Sequence, residues 1–549
     1  MRNSLCLAAA LAALQMSGCS VVVGGSVNDA CQADPDCADL GFVNAKCNLE
    51  TKTCEPGGTG GGGGGGGGPG DCSTAQECED KNGGQPSICR SDTKTCSQLL
   101  SVDCQEVFGN YKDPNAIILG FLGPLTGSDA STGIPIADGT KLALNEFDKN
   151  TVGLPGGPDG AVRPLAMVYC HDLDGPEEDP WRAAKHLVEN VGVQAIVGPA
   201  FSGVTINTTK TVTIPAGVLT ISGSATSPSI TDLDDNDLVW RTCPSDALQA
   251  IPLASLLTPL EAQIAPTLMG EPLRVAMVVK GDAYGTGLAD AVTPLLLFNG
   301  KDATTNGNDG NFLRLDYPDP NSETVDYSPI ISEITTSFQP HVVLALGTTE
   351  GVTEVFTQVE AQWPTVDPPP RPHYLFPDGG KVVELVQAIG DNNDLRTRVR
   401  GTVPGGSSSL YEAFRSRYKG FFDQKEPLAF ADTGYDALYL LAYAMVSVGD
   451  KEITGTNIAA GLKKMNKGTL IDTGPGKINA AFQSLQGSGE IDYNGASGPL
   501  NFDPATGEAK ANIDIWCVVF DQDMNAVFKS SGQKYDAVQS KLVGEYTCD

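Results

Sequence analysis

Residues 116–133 read AIILGFLGPLTGSDASTG. The run 116–122 is apolar throughout apart from Gly120 and has the length of one strand. An unbroken apolar run of this size marks a strand buried on both faces, as in a parallel sheet covered by helices. It ends in Gly123-Pro124-Leu125-Thr126-Gly127, which is turn chemistry. The period then changes, and Ala137, Leu142, Leu144 and Phe147 recur with helical spacing over 136–148. Strand, tight turn, helix is the first half of a βαβ unit. Ligands of such sheets bind in the turns beyond the carboxyl ends of the strands.

The same alternation continues outward. Strands are expected at 165–169, 194–197, 217–221 and 238–241, with a helix over 181–190. The pattern restarts with strands at 273–279, 312–315, 341–346 and 373–376. Two series of this kind indicate an α/β protein with two doubly wound lobes rather than one sheet. The segments 300–311, polar and glycine-rich, and 363–372, rich in proline, read as surface loops.

Composition narrows the function. The chain has 549 residues, 67 acidic and 36 basic side chains, and a formal net charge of −31. That charge repels phosphate backbones and anionic lipid surfaces, which excludes a nucleic-acid binder. Four histidines restrict histidine-based metal sites and general-base catalysis. Fifteen cysteines point to an oxidising compartment.

The start of the chain gives an address. Arg2, an apolar run over 5–14 and the sequence Met16-Ser17-Gly18-Cys19 read as a leader, 1–18, of bacterial lipoprotein type, with Cys19 as the lipidated residue. No later run reaches the ~18 apolar residues of a membrane span. Ser20 favours an outer-membrane destination, facing the periplasm or cell surface. Residues 19–104 then read as a tether. Cys31, Cys37, Cys47 and Cys54 form one copy (31–54) of a motif, and Cys72, Cys78, Cys89 and Cys96 form a second (72–96). Both copies end in Thr-Lys-Thr-Cys, the mark of an internal duplication. Neither copy has enough apolar residues for a core, so a covalent or metal staple is needed. Four thiolates could bind zinc, but CxxC knuckles are absent and export favours oxidation. Two disulfides per copy are expected, with three connectivities open for each. Between the copies, 57–70 is glycine at 12 of 14 positions, a flexible linker. Of the remaining cysteines, Cys517 with Cys548 and Cys170 with Cys243 are possible pairs, and the odd number leaves at least one thiol free.

Three turns offer hydroxyls and free backbone N–H groups at helix starts: Gly123–Gly127, Gly198-Pro199-Ala200-Phe201-Ser202, and Ser222-Gly223-Ser224-Ala225-Thr226. This chemistry suits an anion such as a carboxylate. Each turn alone is better explained by a helix cap than by a ligand contact. Their order and spacing, with ILGFLGPLTGSDASTG (118–133), AIVGPAFSGVT (195–205), IPAGVLTISGSATSPSIT (214–231), WRTCPSD (240–246), VAMVVKGDAYGTGLA (275–289), ADTGYDALYLLAYAM (431–445) and SGPLNFDPATGEA (497–509), resemble the leucine/isoleucine/valine-binding family of type I periplasmic substrate-binding proteins.

The resemblance implies a site, position by position. A serine that holds the ligand carboxylate falls on Ser202, and hydroxyl and backbone groups of the next turn fall on Ser224 and Thr226. A tyrosine of the second lobe falls on Tyr284, and the acid that pairs with the ligand ammonium falls on Asp378, in FPDG. Aromatic positions that line the branched-chain pocket appear here as Thr132 and Thr348, and the usual glutamate is an aspartate. These changes imply a wider or more polar pocket. The family also implies a three-strand hinge, crossed near 242–247, 403–408 and 498–502. Lobe one then combines 115–242 with 408–497, and lobe two 247–403 with 502–549.

The sequence contains no GxSxG elbow, Walker A loop or HExxH motif. His171-Asp172-Leu173-Asp174-Gly175 lacks the closing glutamate of a calcium loop. A binding protein is therefore expected, with no catalytic residue, cofactor or metal. Its expected role is capture of an amino acid or similar small polar solute for the permease of an ABC importer. The alternative is a ligand-sensing domain for a signalling partner, since one fold serves both roles.

Overall fold

The computed structural model describes residues 45–48, 53–56 and 72–548, apart from 158–159, 173–178, 366–369, 406–407 and 487–488. The leader, Cys19, Cys31, Cys37 and the glycine linker lie outside the described residues. The chain divides into two compact units, 1–68 and 69–549. In the first, Ala45–Asn48 pairs antiparallel with Thr53–Pro56, setting Cys47 opposite Cys54.

The second unit holds two eight-stranded sheets. Sheet one runs Phe502–Asp503, Glu508–Ala509, Val239–Arg241, Leu219–Ser222, Ala195–Val197, Ile117–Gly123, Leu165–His171, Cys104–Gly109. Sheet two runs Phe312–Pro318, Val275–Gly281, Val342–Leu346, His373–Phe376, Val399–Pro404, Ile513–Phe520, Ala526–Asp536, Lys541–Val543. The centre of each is parallel. Antiparallel strands close the edge at Cys104–Gly109 and the far side beyond Val399–Pro404. The central strands are buried on both faces, as in Val342–Leu346 and Leu219–Ser222, which is why they read as apolar runs.

The chain leaves sheet one after Arg241, returns after Pro404, and enters sheet two again between Ala509 and Ile513. The third crossing thus falls later than 498–502. The physical reason is the small hairpin of Phe502–Asp503 with Glu508–Ala509, whose second strand pairs with Arg241 and extends sheet one.

Helix Ala431–Val448 is buried along its whole length under sheet one. It crosses helix Ala130–Thr151 at two glycines. A Cβ on Gly139 would lie 2.0 Å from the Ala431 carbonyl oxygen, and one on Gly434 would lie 2.5 Å from that of Ile136. Only glycine allows backbones this close. The crossing sets the first turn of Ala130–Thr151, carrying Ser131 and Thr132, beside Phe430. Asp436 on the buried helix accepts from Tyr493 Oη (2.7 Å), Ser497 Oγ (2.7 Å) and the backbone N–H groups of Ala496 (3.0 Å) and Ser497 (2.8 Å). These four bonds pin the segment that leads to the third crossing.

Residues 72–104, expected to be part of a tether, instead pack on sheet one. The second cysteine copy is held by Cys72–Cys89 and Cys78–Cys96, first with third and second with fourth. These sulfurs are bonded to one another, so the zinc alternative does not apply to this copy. Its hairpin sets Cys89 opposite Cys96, the register that Cys47 and Cys54 show in the first copy. Arg90 Nη1 donates to the Asn190 carbonyl (3.0 Å) and to that of Glu189, and Ser97 Oγ donates to Asn190 O (2.7 Å). Arg182 grips Asp103 with two bonds of 2.7 and 2.8 Å, and Leu99 is fully buried beside Leu187. Cys104 opens the edge strand and is bonded to Cys170. The suggested Cys170–Cys243 pair is therefore replaced by Cys104–Cys170, and Cys243 is a free buried thiol. Cys517–Cys548 is present. The stretch 300–311, expected as a loop, contains helix Ala303–Asn308: Asp302 caps it through Thr305 N (2.7 Å), and Asn306 is buried, bonded to the carbonyls of Phe298, Lys301 and Asp302.

Candidate functional site

The carboxyl ends of the two sheets face one cleft, part of it open to solvent. From lobe one it is lined by Ser131, Thr132, Ala200, Phe201, Ser202 and Ser224; from lobe two by Tyr284, Thr348, Asp378, Gly379, Lys381 and Val382; Ala429 and Phe430 complete it. Six of the seven residues expected in the site, Thr132, Ser202, Ser224, Tyr284, Thr348 and Asp378, line this cleft. The seventh, Thr226, does not. It lies behind the wall, its carbonyl accepting from Asp246 N (2.8 Å), because its turn bends inward after Ser224.

The lobe-one wall is knit by serine hydroxyls. Ser222 Oγ donates to Pro199 O (2.6 Å) and Ser224 Oγ to Ala200 O (2.7 Å), so two consecutive turns are locked together. Ser202, first residue of helix Ser202–Thr208, accepts from Ser227 N (3.1 Å). Its hydroxyl proton is thereby left for another acceptor, whereas that of Ser224 is spent on Ala200. Ser202 is thus the better donor for an anion, and Ser224 presents lone pairs.

The lobe-two wall is built on Asp378, which follows strand His373–Phe376 and is buried. Its Oδ1 accepts from Gln249 Nε2 (2.6 Å) and Tyr284 Oη (2.8 Å), while Tyr284 accepts from Gly379 N (3.1 Å). Burial pushes the Asp378 carboxyl up to about 6, against the pull of those two donors. Asp246, wholly buried at the start of helix Asp246–Ser255, is also raised, by burial and then by the charge of Asp378. Two acids therefore back this end of the cleft, a setting that favours a bound cation.

Thr348 is held differently. Its hydroxyl bonds Glu350, its N–H donates to Glu350 Oε1 (3.0 Å), and Lys280 Nζ reaches its oxygen at 3.3 Å. Burial opposes the charge on Glu350, but Lys280 and the bonds from Thr348 and Tyr317 outweigh it and hold that acid below its ordinary range. Lys280 also lies 5.5 Å from the centre of the Phe201 ring, a contact between lobes.

The residues that sequence reasoning missed are Ser131, Phe201, Lys381 and Phe430. Phe201 stood inside the quoted GPAFS turn, and Lys381 three residues after Asp378. The placement of Ser131 and Phe430 depends on the helix crossing at Gly139 and Gly434, which leaves no periodic trace.

Two parallel-centred sheets, three crossings and a cleft at their carboxyl ends, lined by apolar surface with a few convergent hydroxyls and charged groups, define a two-lobed solute-binding protein. The comparisons agree. The periplasmic binding protein family pattern matches residues 116–513, and the chain belongs to that family. It is 31% identical over 176 residues to the Leu/Ile/Val-binding protein BraC3 of Rhizobium johnstonii, covering 32% of this chain and 42% of that protein. The chain spans about half or less of the length of the curated relatives it matches. Among solved structures it resembles the branched-chain amino acid transporter substrate-binding protein LivJ of Streptococcus pneumoniae, in complex with isoleucine, at a TM-score of 0.54 and 18% identity, covering 76% of this chain and 99% of the other. A solute-binding protein of an ABC transporter from Rhodopseudomonas palustris, in complex with 3,4-dihydroxybenzoic acid, fits with a TM-score of 0.54 and 19% identity, covering 78% and 99%. At these identities the likeness establishes the fold.

Proposed function

We propose that this protein is an extracytoplasmic lipoprotein, anchored through Cys19 at the outer membrane, that captures an amino acid or similar small polar solute between its lobes and presents it to an ABC importer. One observation carries the reading: a serine with an uncommitted hydroxyl proton, Ser202, and a buried acid, Asp378, line the same cleft from different lobes. A zwitterion satisfies both, its carboxylate taking charge-assisted bonds from Ser202 and the turn around Ser224, and its ammonium facing Asp378 with Tyr284. Binding that engages both lobes would close them over the three crossings. Thr132 and Thr348 would leave room for polar atoms where branched-chain binders have aromatic rings.

The test is a thermal-shift screen of the full chain against the amino acids and a set of benzoates, since a ligand of the folded form raises the midpoint by mass action. An amino acid should raise it, and Ser202→Ala and Asp378→Asn should each remove that shift. A benzoate that shifts the midpoint when no amino acid does would refute the amino-acid reading. Mass spectrometry of the membrane-associated protein should find acyl chains on Cys19, and Cys19→Ala should release the protein from membranes.

A further inference from the structure

The cleft has more donors than the α-carboxylate and α-ammonium of a zwitterion use. Ser131 lines it, and its Oγ is sealed from solvent by neighbouring atoms and has no hydrogen-bond partner among the described residues. A buried hydroxyl in that condition is destabilising until something bonds it. Lys381 lines it as well, half-buried. Among the described residues, nothing lies at hydrogen-bond or ion-pair distance from its ammonium; the Phe528 ring centre is 5.9 Å away. Burial lowers the lysine below its ordinary range, opposed by the more distant carboxylates of Asp514 and Asp432. Asp432 itself is pushed up to about 7, by burial and then by the charge of Asp436, so it is only partly ionised near neutrality. The lysine's charge is left incompletely matched. In a chain of net charge −31, a lysine in the wall of a binding cleft without an ion pair among the described residues is a specific local feature.

We infer that Lys381, with Ser131, receives an anionic side chain of the ligand, which makes the ligand class acidic α-amino acids. This rests on the amino-acid reading above and deepens it. Lys381 and Asp378 come from one turn, with Lys381 N donating to the Asp378 carbonyl at 2.9 Å. The same loop thus offers an acid to the ligand's ammonium and a base to its distal carboxylate. Phe201, Val382 and Phe430 supply apolar surface for the methylenes between. Thr132, adjacent to Ser131, supplies a further hydroxyl.

Isothermal titration of the full chain with L-glutamate, L-glutamine, L-aspartate, L-asparagine and L-leucine tests this. Glutamine and asparagine keep the size of the acids and remove the charge. One acid is expected to bind at least about tenfold more tightly than its amide, the contribution of one charge-assisted bond. Lys381→Met should bring the acid and its amide to within about threefold, Lys381→Arg should retain most of the preference, and Ser131→Ala should reduce it severalfold. Should Lys381→Met unfold, the Ser131→Ala and Lys381→Arg ratios decide. Leucine or an amide binding as tightly as the acids, or a preference unchanged in Lys381→Met or Ser131→Ala, overturns the inference while leaving the amino-acid reading intact. Failure of every amino acid, with a benzoate binding instead, overturns both.

Discussion

Lowering the pH from 7.5 to 5 is expected to weaken ligand capture about tenfold, and Asp378 sets that figure. Its carboxyl stands at about 6 in the free protein, and only the ionised form attracts an ammonium. The competent fraction is about 97% at pH 7.5 and about 9% at pH 5, and apparent affinity scales with that fraction. The free protein responds in the opposite direction. A carboxyl raised above its unfolded value favours the protonated fold, so its stabilisation is complete below about pH 3.9 and is lost as pH rises through about 6. The shift corresponds to about 3 kcal/mol. Acidification therefore strengthens the free protein through this group while loosening the complex, and the ligand-induced midpoint shift should shrink as the apparent affinity falls. The assay is titration calorimetry with the ligand found by screening, at half-unit steps of pH, on the parent chain and on Asp378→Asn. Affinity that is flat between pH 7.5 and 5, or an Asp378→Asn variant with parental affinity, would refute the role given to this acid.

Two predictions concern stability. Opening Cys104–Cys170 by replacing both residues with serine frees the edge strand; its 66-residue separation gives about 4 kcal/mol by the loop-entropy argument, read as a lower urea midpoint. Asp436→Ala removes four hydrogen bonds and leaves the N–H groups of Ala496 and Ser497 buried without partners, so unfolding should cost about 3 kcal/mol less in a urea titration.

The parts of this fold that were legible in the sequence are those whose burial is two-sided. Strands Ile117–Gly123, Val275–Gly281 and Val342–Leu346 are sealed by helices on both faces, so burial alone writes an apolar run. Cys104–Gly109 is an edge strand with Gln105 and Glu106 exposed, and Ala526–Asp536 has a wet face; neither stands out from a loop. The site divides in the same way. Ser202, Ser224, Tyr284, Thr348 and Asp378 follow strand ends, and topology brings strand ends together. Thr226 shares the turn of Ser224 but faces the other way, and that direction is decided by two or three backbone angles.

The two cysteine copies share one hairpin register but carry different residues after the hairpin cysteines. In the second copy the residues directly after the hairpin cysteines are Arg90 and Ser97, and both donate to carbonyls at the end of the helix that closes at Val191. The corresponding residues of the first copy are Asn48 and Glu55. A helix C-terminus offers unpaired carbonyls and a partial negative charge, so it welcomes guanidinium and hydroxyl donors and repels a carboxylate. The hairpin register is the same in both copies, and the contacts of the second copy with the helix end are made by Arg90 and Ser97. Arg90→Asn with Ser97→Glu, transplanting the first copy's residues into the second, should cost about 1–3 kcal/mol of docking. Hydrogen exchange should show the gain in exposure over 72–98 with little change in the Ile117–Gly123 sheet, the disulfides holding the repeat folded. Unchanged protection over 72–98 would mean that Asp103–Arg182 and buried Leu99 suffice to dock the repeat, and the assignment to Arg90 and Ser97 would fall.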